Sequence, residues 1–424
     1  MCLCCCACGG GGSRPATTTV PPPAGGTAPT PPADPAFGLT EDNAQLLLDP
    51  AAPATLPWAS AAAPFQLARR ELTALRPTYL RLFLDWQALQ PQAGRAADLA
   101  GPVSGCARTV GPCGPYPGLA GELAAIASRQ RARRAAGQAG PEVLIDVVGA
   151  PRWAASAPSG CELQGAPAGA RAVTPSAIGA YRQLIAGVLS LARSEGAEVR
   201  WWSPWNEPND GLFLTPQRAL CRPSSAPLSA AVYAQLARAL ASVLRRYAPQ
   251  DSVVLGELNG QAPDSAHSTS VASFVAALPA DVLCLGPVWS LHAYSPYGPG
   301  GGGGEPVAAL ERALARRGGC AADPPLWITE TGAGAPHPGA PLTGSPVREL
   351  EACRALAADL QGWFSDSRVG AVFQYTFRDD PAYPVGLVSA DLARVHPSYR
   401  LWLALTGETA GRDRLAPAPS FCGG

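Results

Sequence analysis

Trp201-Trp202-Ser203-Pro204-Trp205-Asn206-Glu207-Pro208-Asn209 is an apolar, tryptophan-rich run that stops abruptly in Asn-Glu-Pro. Residues 198–205 have the length and the Val/Trp content of a buried strand. Pro208 has no amide hydrogen, so ladder bonding stops before it and Asn206 and Glu207 fall at the strand's C-terminal end. Taken alone, such a glutamate is as readily a solvated loop residue. A second stretch shifts the weighing: Leu326-Trp327-Ile328-Thr329-Glu330-Thr331-Gly332 is another short apolar strand ending in a glutamate. Two strand-end glutamates spaced by whole strand-helix units can face each other across the mouth of one barrel.

The same unit recurs on both sides of these stretches. Strands are predicted at 37–39, 79–86, 143–148, 198–205, 253–257, 282–292, 326–332 and 371–377, the sixth interrupted by Gly286-Pro287. Helical spacing of apolar residues follows them at 65–75, 119–135, 175–193, 229–247, 271–278, 305–317, 347–364 and 397–405. Thr174 followed by Pro175 reads as an N-cap with proline at the first helical position. Eight short strands alternating with eight helices predict an α/β protein with a parallel sheet, and one chain of 424 residues favours a single closed (β/α)8 TIM barrel. The competing architecture is a doubly wound open sheet; no GxGxxG follows the first strand, which weighs against a dinucleotide-binding version. The expected organisation is a disordered Gly/Pro/Thr-rich linker over 1–33, the barrel over 34–410 and a tail over 411–424.

Composition narrows the function class. Lys+Arg and Asp+Glu both count 32, lysine is absent, and no basic patch suggests nucleic acid as a partner. No apolar run is long enough to span a bilayer. Five of 13 cysteines crowd into residues 2–8; the other eight are Cys106, Cys113, Cys161, Cys221, Cys284, Cys320, Cys353 and Cys422, with no CxxC spacing. With only four histidines to help build a metal site, disulfides in an oxidising, extracytoplasmic compartment are the better reading than metal ligation or free buried thiols. Cys106 with Cys113 closes one loop, Cys161 and Cys221 lie in loops after adjacent strands, and Cys284 with Cys320 and Cys353 with Cys422 are the remaining expected pairs. Gly300 to Gly304 lacks the Lys and Ser/Thr of a phosphate loop and is read as a flap. His267, His337 and His396 match no metal spacing, so no metal and no cofactor is expected.

Two resemblances sharpen this. Cys8 followed by Gly9 to Gly12 resembles a bacterial lipoprotein junction, which implies a lipid anchor through Cys8 and secretion or tethering at the cell surface, although the charged start and apolar stretch of a signal peptide are missing. The barrel resembles the clan A retaining glycoside hydrolases, on the Asn206-Glu207-Pro208 motif after strand four and on Glu330 ending strand seven. Within the clan it looks most like family 39, with family 5 as near neighbour. Pro151-Arg152-Trp153, His292-Ala293-Tyr294, residues 375–380 and Gly386-Leu387-Val388 carry that impression. Where many members have a tryptophan on strand eight, this sequence has Tyr375 or Phe377, so substrate preference is not carried over.

The resemblance implies hydrolysis of an oligo- or polysaccharide by double displacement, with Glu330 as nucleophile and Glu207 as acid/base. Retaining chemistry wants two carboxyls about 5–5.5 Å apart, one ionised and one protonated. Arg81 and Tyr294 are expected to hold Glu330 ionised, and Asn206 to hold the sugar 2-hydroxyl. His292 beside Tyr294 weighs evenly between a structural and a substrate-binding residue. Trp153, Trp205, Trp289 and Tyr375 are candidate sugar platforms, although an isolated tryptophan is more often core. Trp86 and Asp85 share that ambiguity, and Glu257 and Asn259 are weaker candidates for substrate contact. The alternative is a non-catalytic carbohydrate-binding barrel; the presence of both glutamates, Asn206 and Tyr294 argues against it.

Overall fold

The computed structural model describes residues 36–41, 63–101, 103–104, 115–116, 118–295, 304–333, 345–380, 383–406 and 421–422. The linker over 1–33, Cys8, the Cys106/Cys113 pair and most of the glycine run and of the tail lie outside the described residues. Eight strands build the barrel: β1 (Ala36–Thr40), β2 (Tyr79–Asp85), β3 (Glu142–Val148), β4 (Val199–Ser203), β5 (Ser252–Asn259), β6 (Val288–His292), β7 (Leu326–Thr331) and β8 (Val369–Tyr375). Every neighbouring pair is parallel and β1 closes on β8, so the sheet is a closed barrel and not an open one. The return helices are α1 (Ala63–Leu75), α2 (Gly118–Ala135), α3 (Ile178–Glu195), α4 (Leu228–Tyr247), α5 (Val271–Ala277), α6 (Gly304–Arg317), α7 (Pro346–Ser365) and α8 (Pro397–Leu405).

Alternation along the strands divides the apolar residues into two cores. One lies between the barrel and its helices. The other fills the barrel floor with Ala36, Tyr79, Leu144, Trp201, Val254, Val288, Trp327, Ala371 and Phe373. Its aromatic rings interlock, with Trp201 and Trp327 centroids 4.5 Å apart and Tyr79 and Trp327 centroids 4.7 Å apart. Gly38 has to be glycine here, because a Cβ would fall 2.2 Å from the Phe373 ring. Two residues further along β2, β3, β4 and β6 the inward set turns polar: Arg81, Asp146, Ser203 and Ser290, all 0% exposed. An aromatic plug therefore seals the floor and a charged layer rests on it, directed at the C-terminal mouth.

Three local expectations are corrected. The fourth strand ends at Ser203, not at 205, because Pro204 offers no ladder donor. Residues 282–285 are not strand: Val282 N–H bonds Pro279 and Leu285 N–H bonds Val282, and Gly286 then runs so close to β5 that a Cβ would sit 2.0 Å from the Val253 carbonyl. Thr174 does not cap through its side chain; its hydroxyl donates to the Ala154 carbonyl at 3.2 Å, before a 3-10 turn at Pro175–Ala177.

Of the expected disulfides, Cys161–Cys221, Cys284–Cys320 and Cys353–Cys422 are formed. The first ties the loop after β3 to the loop after β4. Among the described residues no helix is long and apolar enough to cross a membrane.

Candidate active site

The mouth gathers residues from six strands around one guanidinium. From β2, Arg81 Nη1 donates to Glu330 Oε1 at 2.7 Å, where β7 ends. Its Nη2 reaches Asp146 Oδ2 on β3 at 2.6 Å, Asn206 Oδ1 past β4 at 2.8 Å and Glu257 Oε2 on β5 at 2.8 Å. From β6, His292 Nδ1 meets Glu207 Oε1 at 2.6 Å and Nε2 meets Glu257 Oε2 at 3.1 Å. Tyr294 Oη donates to Glu330 Oε2 at 2.5 Å. Oxygens of Glu207 and Glu330 and a nitrogen of His292 lie within 4.8 Å of one another.

The backbone is bent to make this possible. At Gly256–Glu257 the β5–β6 register shifts, and both residues have positive φ, 108° and 51°. A Cβ at Gly256 would stand 2.2 Å from the Ser290 carbonyl, so only glycine fits, and the bulge turns the Glu257 carboxylate into the charged layer. Glu257 is held there by its own amide donating to Ser290 Oγ at 2.8 Å and by Ser290 Oγ donating to its Oε1 at 2.9 Å. Glu207 also has positive φ, 38°, and its amide donates to the Glu257 carbonyl at 2.9 Å. Two non-glycine residues in the left-handed region on adjacent strand ends mark strain held by the surrounding fold, as at ligand-binding and catalytic sites.

Charge and burial set the protons. Burial pushes the Glu207 carboxyl up to about 7, opposed by the His292 bond and assisted by the Glu330 charge. Burial alone would lower His292, but the carboxylates of Glu330, Glu207 and Glu257 raise it to about 10. Burial would raise Glu257, yet Arg81 and then His292 hold it down at about 2. Asp146 is pushed well above the usual carboxyl range by burial, against the pull of Arg81. Tyr294 is pushed up by burial and by the Glu330 charge, so it remains a neutral donor. The site at neutral pH thus holds a fixed imidazolium, a fixed Glu257 anion and a Glu207 poised to give up or take a proton.

Most of the expected residues meet here: Arg81, Asn206, Glu207, His292, Tyr294 and Glu330. Tyr375 stands at the edge, its ring 6.4 Å from that of Tyr294 and 6.5 Å from that of Phe83. Trp205 and Trp289 do not serve as sugar platforms, since both are 0% exposed and present no face to a ligand. Trp205 instead anchors the loop after β4 through Nε1 to the Phe213 carbonyl at 2.9 Å. Trp153 packs edge-on against Trp86 and donates to the Gln90 carbonyl at 2.9 Å, bracing the loops after β2 and β3. Asp85 caps the short helix Trp86–Leu89. Asn259 accepts Asn209 Nδ2 at its carbonyl, 2.9 Å. Asp146 went unnoticed, and Glu257 proves to be an internal partner of Arg81 and His292; a charged residue inside the apolar run 143–148, and a glutamate directly after glycine at a strand end, were the available signals.

Beside the cluster lies a cavity of about 370 Å³ whose wall includes Phe83, Asp85, Gln87, Phe213, Tyr375 and Asp380. Glu207 and Glu330 do not line it. It adjoins them through Phe83, whose ring centroid is 4.5 Å from the Arg81 guanidinium carbon, and through Tyr375. The donor atoms of Glu207, His292 and Glu330 are close enough to surround a cation. They are already engaged, by Arg81 and Tyr294 on Glu330 and by carboxylates on both nitrogens of His292.

No family model matches the chain, and none of the curated proteins matches it by sequence. Solved structures do match. SrfJ from Salmonella typhimurium superposes with a TM-score of 0.55 at 11% identity, over 88% of this chain and 75% of that one. The catalytic domain of GH30 xylanase C from Talaromyces cellulolyticus gives 0.50 at 13% identity, over 89% of this chain and 76% of that one. At these identities the likeness shows the fold alone, a (β/α)8 barrel.

Proposed function

We propose that the chain is a retaining β-glycosidase that hydrolyses O-glycosidic bonds of an oligo- or polysaccharide by double displacement. The observation that carries this is the approach of Glu207 and Glu330 across the barrel mouth, with oxygens within 4.8 Å of one another, Arg81 and Tyr294 donating to Glu330 and burial raising Glu207. Glu330, with Arg81 on one oxygen and Tyr294 on the other, is the nucleophile. It forms a bond to the anomeric carbon as the glycosidic oxygen leaves with the proton of Glu207. Glu207, now ionised, takes a proton from water; that water attacks the anomeric carbon and the ester to Glu330 breaks. Asn206, oriented by Arg81, reads the 2-hydroxyl beside the reacting carbon. The proposal stands at the level of clan A, since no comparison singles out family 39. Three disulfides support action outside the cytoplasm, with the anchor at Cys8 as the proposed tether.

The test is intact mass after exposure to a panel of activated 2-deoxy-2-fluoro β-glycosides. The fluorine destabilises both oxocarbenium-like transition states, and the activated leaving group restores only the first step, so a sugar-sized adduct accumulates. It should map to Glu330. Binding of a glycan with neither adduct nor hydrolysis would instead support the non-catalytic carbohydrate-binding barrel.

The pH dependence follows from Glu207. Since the first step needs its protonated form, kcat/KM should decline as pH rises through about 7. His292, raised to about 10, stays charged over this range and does not contribute a limb. A pH profile of kcat/KM that stays flat between pH 6 and 9 counts against Glu207 as the acid.

A further inference from the structure

Glu257 takes no part in the double displacement, yet it is 0% exposed and touches both halves of the machinery. Its Oε2 receives Arg81 Nη2 at 2.8 Å and His292 Nε2 at 3.1 Å. Arg81 continues to the nucleophile and His292 to the acid. We propose that Glu257 is a positioning residue for the acid/base: its charge keeps the second proton on His292, so that Nδ1 donates to Glu207 Oε1 and the acidic proton of Glu207 is left on Oε2 for the glycosidic oxygen. This rests on the glycosidase reading given above.

Glu257, His292 and Glu207 form a three-member chain along which the protons are shared. With Glu257 ionised, Nε2–H points at Oε2 and Nδ1 keeps its hydrogen, because the imidazolium lies between Glu257 and Glu330, whose Oε2 is 3.4 Å from Nδ1. In Glu257→Gln the amide orientation is not free. The Oε2 site faces an Arg81 donor, and an amide NH2 there would set donor against donor, so the amide oxygen takes that site. Nε2–H then donates to it, and without the Glu257 charge the proton on Nδ1 is the one released. A bare Nδ1, 2.6 Å from Glu207 Oε1, becomes an acceptor for the proton that Glu207 should give to the substrate. The remaining groups facing Glu257 are Ser290 on β6, Asp146 on β3 and Tyr233 on α4; the first donates to its Oε1 and the last is a neutral phenol held by Gly256 N–H at 2.7 Å.

This predicts a split by leaving group that a merely structural role would not produce. With 2,4-dinitrophenyl and phenyl β-glycosides of a sugar the wild type hydrolyses, Glu257→Gln should lose about 100-fold in kcat/KM on the phenyl glycoside, which needs acid assistance. It should lose less than about 5-fold on the dinitrophenyl glycoside, which does not. Glu257→Asp, keeping the charge, should recover much of the phenyl activity, and fluoro-sugar labelling of Glu330 should persist in both variants. Independently of turnover, 15N NMR of the histidine rings in the full chain, assigned by the signal lost in His292→Gln, should show His292 doubly protonated at pH 8. Glu257→Gln should show Nδ1 deprotonated.

Equal losses on the two glycosides, or a neutral His292 in the wild type at pH 8, overturn the proposal. A wild type that hydrolyses no glycoside refutes the glycosidase reading itself. The NMR pair then decides where the proton sits.

Discussion

Glu330→Gln is expected to reduce turnover of any glycoside by on the order of 10⁵-fold and to abolish covalent labelling by fluoro-sugars. The substitution preserves shape and keeps an acceptor for Arg81, whose guanidinium retains its contacts with Asp146 at 2.6 Å and Glu257 at 2.8 Å. The buried guanidinium therefore keeps the Glu257 anion as counter-ion and Asp146 as hydrogen-bond partner, and the fold should hold, with a near-unchanged melting temperature as the check. What is lost is the anion that attacks the anomeric carbon. Because the residue touches the reacting atom, dinitrophenyl and phenyl glycosides should suffer alike. Retention of more than a few per cent of the wild-type rate by a folded Glu330→Gln variant would place the nucleophile elsewhere.

Glu207→Ala is expected to behave in the opposite way. Hydrolysis of phenyl glycosides should fall by about 10²–10⁴-fold, the usual contribution of a general acid, while dinitrophenyl glycosides are still cleaved to the glycosyl-enzyme. That intermediate should then accumulate, since the same residue must deprotonate water. Removal of the side chain leaves a carboxylate-sized space beside the His292 imidazolium, a site suited to a small anion. Azide should enter it, attack the anomeric carbon on the face water would have used, and release a β-glycosyl azide. Rate recovery with azide, and the β configuration by proton NMR, would establish retention and the role of Glu207 together. An α-azide, or no dependence on azide, would rule out the assigned pair. Azide rescue also separates this variant from Glu257→Gln, in which Glu207 still fills its own space.

Much of this was readable from local patterns. A barrel strand buried on both faces appears as a continuous apolar run cut off by Gly or Pro, as at 143–148 and 326–332, and that signal depends only on neighbouring residues. Strand ends carrying Asn206-Glu207-Pro208, Glu330 and His292-Ala293-Tyr294 were visible for the same reason. Aromatic residues were not sorted so easily. Trp201, midway along β4, plugs the barrel floor, Trp205, two residues past its end, fixes a loop with no face exposed, and Tyr375, ending β8, stands at the cavity edge. Which way a tryptophan faces depends on where its strand stops, and β4 stops at Ser203.

By itself the sequence determined the barrel and placed Glu207 and Glu330 at the ends of its fourth and seventh strands, because apolar periodicity, proline punctuation and strand-end glutamates are properties of short stretches. Only the tertiary structure decided which groups hold protons and which hold charges. Arg81 and Glu330 are 249 positions apart in the chain and 2.7 Å apart in space. Glu257 enters their company through a bulge at Gly256, and Asp146 through the inward face of β3. Desolvation and Coulomb energy follow distance and burial, not sequence separation, so the protonation of Glu207 and His292 is fixed only once six strand ends converge on one guanidinium.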